Sequence, residues 1–171
     1  MDKLFEYNFM ISMNINGCFH LSNEIILKEG ASKKIVDILF PYNKESCRDL
    51  INDLKIVSLE SAIELSKNDL NRCVKYIDKR IYTLKNKYDY ISQELIYLEN
   101  LPVKIGLGST CDYNSGECYA CIHIMKNNKL DEIHFTFIDK STEFVSLSKR
   151  DKDLIFSNKL LDLLLDKLNY I

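Results

Sequence analysis

Proline and glycine are scarce in this sequence, and long apolar runs are missing. The 171 residues contain two prolines and five glycines, none of them between residues 43 and 101. Because these are the residues that break helices, nothing in that stretch obliges a helix to end. No run of eighteen apolar residues is available to cross a membrane, and the first residues lack the basic flank and apolar centre of a signal peptide. We therefore expect a cytoplasmic protein without a membrane partner.

The six cysteines are then expected to be reduced thiols, because disulfides are rare in the cytoplasm. Cys118 and Cys121, with Cys111 and His123, suggest zinc, but Cys118 and Cys121 have opposite parity and cannot both face one ion from a strand. Cys121, His123 and His134 are predicted to lie on one face of a β-hairpin, but this set lacks a fourth ligand. We expect the cysteines to pack as small apolar side chains, with no metal and no cofactor.

Between Asn68 and Leu101 the apolar residues follow a heptad repeat, which predicts one long helix with a coiled-coil seam. The seam consists of Leu70, Val74, Ile77, Ile81, Leu84, Tyr88, Ile91, Leu95 and Leu98. Two sequences that resemble capping boxes, Ser46 to Asp49 and Ser61 to Glu64, predict two short helices before it. A helix of about 30 residues is about 45 Å long, more than a globule of this size spans. We therefore predict one domain, residues 1–171, in which residues 43–101 form a helical insertion or arm.

Alternation of apolar and polar residues from 3 to 15 predicts a half-buried strand. Asn-Gly at 16–17 is a strong hairpin signal, and Cys18 to Leu27 is predicted as the returning strand. The loop length stays open. A two-residue loop turns His20 to the apolar face of the first strand, whereas a three-residue loop, which buries more apolar side chains, turns it outward. The spacing of apolar residues between 31 and 40, followed by Pro41, then predicts a helix over residues 31–40.

The C-terminal half contains the clearest strand pattern. After a short strand at 103–107 and a polar loop at 106–116, strands at 117–126 and 130–139 are predicted to form a hairpin. Its core face is expected to carry Cys118, Ala120, Ile122, Ile124, Ile133, Phe135 and Phe137. Its other face is expected to carry Tyr119, Cys121, His123, Glu132, His134 and Thr136.

A terminal amphipathic helix is predicted to open at Ser148, with Leu154, Leu160, Leu161, Leu164 and Leu168 as its buried stripe. The elements together predict an α+β fold. In it, two β-hairpins form a small antiparallel sheet, the helical insertion carries the long coiled-coil-like helix, and the amphipathic helix ends the chain.

Two of the three histidines occur in the pattern His-x-Ser/Thr, as His20-Leu-Ser22 and His134-Phe-Thr136. This resembles the paired motifs of the two-histidine phosphoesterases, in which two histidines act as acid and base and two hydroxyls hold a phosphate. The resemblance covers only these two motifs, and Asn23 stands where that family has an apolar residue. It implies cleavage of cyclic or 2′,5′ nucleotide phosphates.

The segment Gly106-Leu-Gly108-Ser-Thr resembles the phosphate loop of small-molecule kinases and, with Gly116, the glycine-rich loop of CRISPR-type RNA-binding repeat proteins. It runs into Asp-Tyr-Asn-Ser-Gly instead of a helix, so the helix N-terminus that would hold phosphate is missing. We interpret the glycines as part of a turn-rich connection.

Basic residues crowd the first half of the predicted long helix, and acidic residues follow. With two tyrosines they form a candidate surface for phosphates or for a protein partner: Arg72, Lys75, Tyr76, Lys79, Arg80, Tyr82, Lys85 and Lys87. Antiparallel pairing of two copies would place the basic half of one helix against the acidic half of the other, so a homodimer is the alternative.

These features favour a binding or regulatory protein, not an enzyme, that engages a protein or ribonucleoprotein partner through residues 68–101. An inhibitor encoded by a mobile element or virus is one such class, and nucleic acid is a further candidate ligand for the basic half of the helix. The alternative is a phosphoesterase with His20, Ser22, His134 and Thr136 as catalytic residues.

Overall fold

A computed structural model describes residues 1–41, 44–52, 54–87 and 92–170, and within these ranges the chain forms five strands and seven helices. The strands are β1 (Phe9–Asn16), β2 (Ile35–Leu39), β3 (Val103–Asp112), β4 (Glu117–Lys126) and β5 (Lys129–Ile138). The helices are α1 (Asp2–Glu6), α2 (Phe19–Leu27), α3 (Lys44–Ile51), α4 (Leu59–Lys87), α5 (Gln93–Glu99), α6 (Thr142–Ser146) and α7 (Lys149–Asn169). In the described part of the chain, none of the helices combines the length and apolar character that a membrane crossing requires.

The strands form one mixed sheet in the order β2-β1-β3-β4-β5. β1 runs parallel to both of its neighbours, β2 and β3. β4 runs antiparallel to both of its neighbours, β3 and β5. The predicted sheet of two antiparallel hairpins is therefore wrong. β1 is a central strand, buried along nearly its whole length, and such a strand needs a neighbour on each side. It begins at Phe9 because residues 2–6 form α1.

The segment predicted as the returning strand of the first hairpin is helix α2. Gly17 and Cys18 take φ angles of 129° and 59°, and this turn carries the chain from β1 into the helix. Leu21, Ser22 and Ile25 then face the core at helical spacing. The Asn-Gly signal thus marks a strand-to-helix turn instead of a hairpin.

The helix predicted at residues 31–40 is wrong as well. A short 3-10 turn, Ala31–Lys33, leads into β2, which pairs in parallel with β1. Ile35, Val36 and Ile38 are β-branched, and such side chains favour a pleated strand over a helix.

Helices cover both faces of the sheet. On the first, the α2/α7 face, Phe9 and Ile11 of β1 pack with α2 and with Phe156 of α7. On the second, the α4 face, Met10 of β1 packs with Cys73 of α4 and with α5. The long helix is therefore a layer of the fold, not a projecting arm.

The single helix predicted through Leu101 is wrong, because α4 ends at Lys87 and the seam residues Leu95 and Leu98 lie on α5, which Ser92 caps in an extended conformation. α4 faces the interior of the molecule. Its buried residues are Ser61, Ala62, Leu65, Ser66, Asp69, Leu70, Cys73, Ile77 and Leu84. The helix begins earlier than predicted, because the side chain of Ser58 accepts the backbone N–H of Ser61 at 3.2 Å and caps it. Two predicted seam residues, Tyr88 and Ile91, lie outside the described residues.

The β4–β5 hairpin confirms the sequence pattern, whereas β3 continues to Asp112 through part of the predicted polar loop, and Leu154 of the predicted buried stripe is exposed. β4 and β5 join through a two-residue turn at Asn127 and Asn128, whose φ angles of 49° and 62° suit a tight hairpin. Cys121 lies directly opposite His134, as the alternation predicts. α7 begins after Ser148, whose hydroxyl accepts the N–H of Asp151 at 3.1 Å.

Candidate functional site

β1 and β3 end at the same edge of the sheet, since Asn16 pairs with Thr110. From β1 the chain turns toward β2 on one side, and from β3 it turns toward β4 on the other. In sheets of this kind, ligands bind outside the carboxyl ends of the strands where the strand order reverses. We call this region the carboxyl-end cleft.

Two cavities open in the cleft and share Val57 and Asp112. The larger, about 530 Å³, is bounded by residues that include Arg48, Lys55, Ile56 and Glu117. The smaller, about 300 Å³, is bounded by Val57, Cys111, Asp112, Tyr113, Asn114 and Lys149. Volumes of this order suit small-molecule ligands.

The lining of the cleft carries more cations than anions. Arg48, Lys55 and Lys149 line it, against Asp112 and Glu117. Both carboxylates already have partners in the protein, because Asp112 accepts a backbone N–H at 2.9 Å and Glu117 lies 3.1 Å from a lysine ammonium. α4 starts two residues after Val57, so its positive N-terminal end lies at the same edge. The cleft therefore favours an anion.

A second helix N-terminus at this edge is already occupied. The carboxylate of Asp153 accepts the backbone N–H groups of Phe19 at 2.8 Å and His20 at 2.7 Å, the first amides of α2. Tyr113 donates its hydroxyl to Asp153 at 2.5 Å and accepts the N–H of Cys18 at 3.2 Å. The protein thus supplies its own anion here, and the start of α2 is closed to an external one.

Three buried thiols lie directly beneath the cleft. Cys18 Sγ is 3.9 Å from Cys111 Sγ and 3.6 Å from Cys118 Sγ. Hydrogen bonds from these two thiols lower the pKa of Cys18 to about 6, whereas burial raises the pKa of both partners well above its ordinary value. Within the cluster, Cys18 is therefore the thiol that loses its proton most readily.

On the α4 face, a polar cluster lies between α4 and the hairpin. The hydroxyl of Ser66 is 2.7 Å from Nδ1 of His123, and Nε2 of His123 is 3.1 Å from Glu132. Glu132 also contacts Nε2 of His134 at 2.5 Å, and this hydrogen bond lowers the pKa of Glu132. Since Glu132 is ionised, Nε2 of His123 donates to it, while the hydroxyl of Ser66, which donates to the carbonyl oxygen of Ile63 at 2.9 Å, lies within hydrogen-bond distance of Nδ1. Ser66 and His123 are buried, so this chain of hydrogen bonds joins the helix to the sheet.

A buried charged network, the Asp69 network, lies under α4 near β2. Arg72 contacts Asp69 at 2.6 Å and Asp37 at 2.8 Å, and Ser12 donates to Asp37. Asn14 donates Nδ2–H to Oδ1 of Asp69 at 2.5 Å. Within the described residues, Oδ1 of Asn14 and Oδ2 of Asp69 have no hydrogen-bond partner. Burial raises the pKa of Asp69 well above its ordinary value.

The predicted catalytic residues of the phosphoesterase do not share a site. His20 lies on the α2/α7 face beside Asp153, and the hydroxyl of Ser22 is buried and donates to its own helix. His134 and Thr136 are exposed on β5, on the other face of the sheet. Because two histidines on opposite faces cannot hold one phosphate, the phosphoesterase prediction is wrong.

The predicted binding residues of the long helix lie on α4, and three of them form ion pairs. Arg72 pairs with Asp37 and Asp69, Arg80 with Glu94 at 2.7 Å, and Lys85 with Glu99 at 2.7 Å. The remaining residues of the set, Lys75, Tyr76, Lys79, Tyr82 and Lys87, are exposed. A partner-binding arm, and the inhibitor inferred from it, are wrong because α4 is packed on the sheet. Whether individual surface residues of α4 contact a partner or nucleic acid stays a prediction.

Sequence reasoning missed Cys18, Tyr113, Lys149 and Asp153. The sequence carries one signal for the thiol cluster. Cys111 lies opposite Cys118 in the β3–β4 hairpin, so both side chains lie on the same face of the sheet. The contribution of Cys18 and Asp153 depends on α2, which was predicted as a strand, so no local pattern could bring them to this edge.

No protein-family model matches the sequence, and no curated protein matches it. The fold is similar to that of two solved structures. One is the competence/damage-inducible protein CihA from Agrobacterium tumefaciens, with a TM-score of 0.59 and 11% identity over 93% of this chain and 85% of that one. The other is a competence-damaged protein (CinA) superfamily protein from Enterobacter cloacae, with a TM-score of 0.52 and 11% identity over 98% of this chain and 86% of that one. At this identity the likeness shows the fold alone, and it gives no support to an inhibitor or a phosphoesterase.

Proposed function

We propose that the protein binds a small anionic molecule in the carboxyl-end cleft. The observation that carries this proposal is the position of the two cavities, which open where the strand order reverses and share Val57 and Asp112. Three cationic side chains line them, while the two carboxylates already have partners in the protein. An anion therefore gains more from this site than a cation does.

The lining also favours a ligand with an apolar or planar part. Leu54, Ile56 and Val57 form one wall of the larger cavity, and Tyr113 borders the smaller one. Lys149 holds its ammonium 5.1 Å from the centre of the Tyr113 ring, which keeps a positive charge at this side of the cleft. A carboxylate or phosphate attached to a ring or short apolar chain matches this combination.

A cytoplasmic location is part of the proposal. The six cysteines are all free, including the three whose sulfurs lie together under the cleft. Thiols at such short separations persist in a reducing compartment, whereas an oxidising one favours their conversion to disulfides.

Charge reversal at the cleft tests the function. We expect Arg48→Glu combined with Lys55→Glu to weaken binding of an anionic probe by roughly 10- to 100-fold, because hydrogen bonds to charged groups contribute about 1.5–3 kcal/mol. Isothermal titration calorimetry with three probes, inorganic phosphate, adenosine monophosphate and salicylate, measures the effect. The two probes that carry a ring are expected to bind more tightly than phosphate.

The matched control is the double variant Lys3→Glu with Lys33→Glu, which changes two exposed lysines before the amino ends of β1 and β2, at the opposite edge of the sheet. It makes the same change in charge away from the cleft, so its binding should equal that of the wild type. Equal weakening by the control would show that total charge governs binding, and failure of all three probes to bind the wild type would refute the proposal.

A further inference from the structure

We propose that Cys18, Cys111 and Cys118 bind one Zn²⁺ ion. The three thiols come from three separate places in the chain, the turn after β1, the end of β3 and the start of β4. Their sulfur atoms nevertheless all lie within 4.8 Å of one another. The proposal does not depend on which anion occupies the cleft, because it concerns side chains beneath the charged lining.

The spacing of the sulfurs fits tetrahedral zinc. A Zn–S distance of about 2.3 Å in a tetrahedral site separates two sulfurs by about 3.8 Å. Cys18 Sγ lies 3.6 Å from Cys118 Sγ and 3.9 Å from Cys111 Sγ. The ligands therefore stand close to their metal-bound spacing, and binding an ion requires only small movements of the side chains.

The backbone around the cluster is built to admit the sulfurs. A Cβ atom on Gly17 would lie 2.3 Å from Cys111 Sγ, so a side chain at this position would occupy the space of the thiol. Cys18 takes a left-handed φ of 59° in the turn between β1 and α2, and this turn brings its thiol beside those of β3 and β4.

One side of the cluster faces the smaller cavity. Cys111 lines that cavity together with Tyr113 and Lys149, whereas Cys18 and Cys118 are fully buried. An ion can enter from this side, and a fourth ligand such as water can complete the tetrahedron there.

A second group of ligand-type side chains, Cys121, His123 and Glu132, fits less well. Both ring nitrogens of His123 already have partners, Ser66 at 2.7 Å and Glu132 at 3.1 Å. Metal binding there would break hydrogen bonds that join α4 to the sheet, and it would separate Ser66 from His123. In the three-thiol cluster a metal would replace hydrogen bonds that the thiols make with one another, so no contact between α4 and the sheet is lost.

Cobalt titration of the reduced wild-type protein under anaerobic conditions tests the site. We expect one Co²⁺ per chain, with sulfur-to-cobalt charge-transfer absorption and the intense visible bands of a tetrahedral complex, both abolished by one equivalent of Zn²⁺. Cys111→Ser or Cys118→Ser should weaken Zn²⁺ binding by on the order of 100-fold or more. The controls Cys73→Ser and Cys121→Ser should retain the signal, since both cysteines are buried on the other side of the sheet.

Two measurements use only the wild-type protein, so they do not depend on whether the variants fold. X-ray absorption of the zinc-loaded protein should show three sulfurs at about 2.3 Å and one lighter ligand. A hundredfold excess of Zn²⁺ over its Kd should raise the unfolding midpoint by roughly 5–10 °C. If the zinc ion had one sulfur ligand, or if Cys121→Ser lost the cobalt signal, the ion would belong to the group of Cys121, His123 and Glu132, and the proposal would be wrong. It would also be wrong if the wild-type protein bound neither Co²⁺ nor Zn²⁺.

Discussion

Replacing Gly106 with alanine is expected to lower the free energy of unfolding by about 3 kcal/mol or more, because the added methyl group overpacks the contact between β3 and α4. A Cβ atom on Gly106 would lie 2.2 Å from the carbonyl oxygen of Ser66 and 2.3 Å from the backbone nitrogen of Leu70. Both are backbone atoms of a long helix and cannot move aside singly. Gly108→Ala should behave in the same way, since its Cβ would lie 2.5 Å from the carbonyl oxygen of Ala62.

Denaturant unfolding measures the loss, and Gly30→Ala is the matched control. Gly30 has a φ of 83° and no heavy atom within 4 Å of a Cβ, so alanine there costs about 1 kcal/mol from the backbone alone. The comparison separates backbone strain from overpacking. If Gly106→Ala unfolded at the wild-type denaturant concentration, α4 could not lie directly on β3.

The structural role of Gly106 and Gly108 can be predicted from the sequence only in part. The same residues resemble a phosphate loop when the segment is taken alone, yet both lie inside β3. Their spacing of two is the relevant signal, because it removes two successive side chains from the same face of a strand. What cannot be known in advance is that a helix fills the space, since α4 and β3 come from separate parts of the chain.

The contrast between the two halves of the sheet has the same cause. The β4–β5 hairpin is predictable because its strands are adjacent in sequence and its turn residues tolerate positive φ. β1 instead pairs with β3, about ninety residues later, and a local pattern does not specify such a partner. Because the sequence pattern pairs β1 with residues 18–27 as a hairpin, it predicts a strand where α2 lies. The residues that α2 brings to the cleft are therefore missed.

For a related reason, the heptad seam correctly predicts which face of the helix is buried but not what covers that face. Leu70, Ile77 and Leu84 are buried as the repeat predicts, but against the sheet and the short helix α5 instead of a long coiled-coil partner. An apolar stripe shows that something covers the helix and does not show what. The candidate site depends on that choice, because α4 brings Val57 and its own N-terminus to the cleft.

Replacing Arg72 with methionine is expected to destabilise the protein by about 3–5 kcal/mol at neutral pH, because it leaves the Asp69 network without its cation. Arg72 contacts Asp69 at 2.6 Å and Asp37 at 2.8 Å, and the carboxyl of Asp69 is fully buried. Burial already raises the pKa of Asp69, and Arg72 opposes that rise. Without the arginine, the buried charge of Asp69 is uncompensated unless the group takes up a proton.

The pH dependence follows from the direction of this shift. The ordinary pKa of Asp69 is 3.8 and its folded pKa is higher, so the folded state binds a proton that the unfolded state has lost. The stabilisation is complete below the ordinary pKa and disappears as the pH rises through the folded one. A proton on Asp69 also supplies the donor that the Asn14–Asp69 pair lacks, since each residue has one oxygen without a partner in the described structure.

Unfolding by urea between about pH 4 and pH 8 tests both statements. Asp69→Asn should flatten the dependence of stability on pH, and the exposed control on the same helix, Asp78→Asn, should leave it unchanged. Combined with Arg72→Met, Asp69→Asn should recover part of the lost stability at neutral pH, because no buried charge then remains at position 69. If the double variant were as unstable as the sum of its single changes, the loss on removing Arg72 would come from its packing, and Asp69 would not be the group that responds to pH.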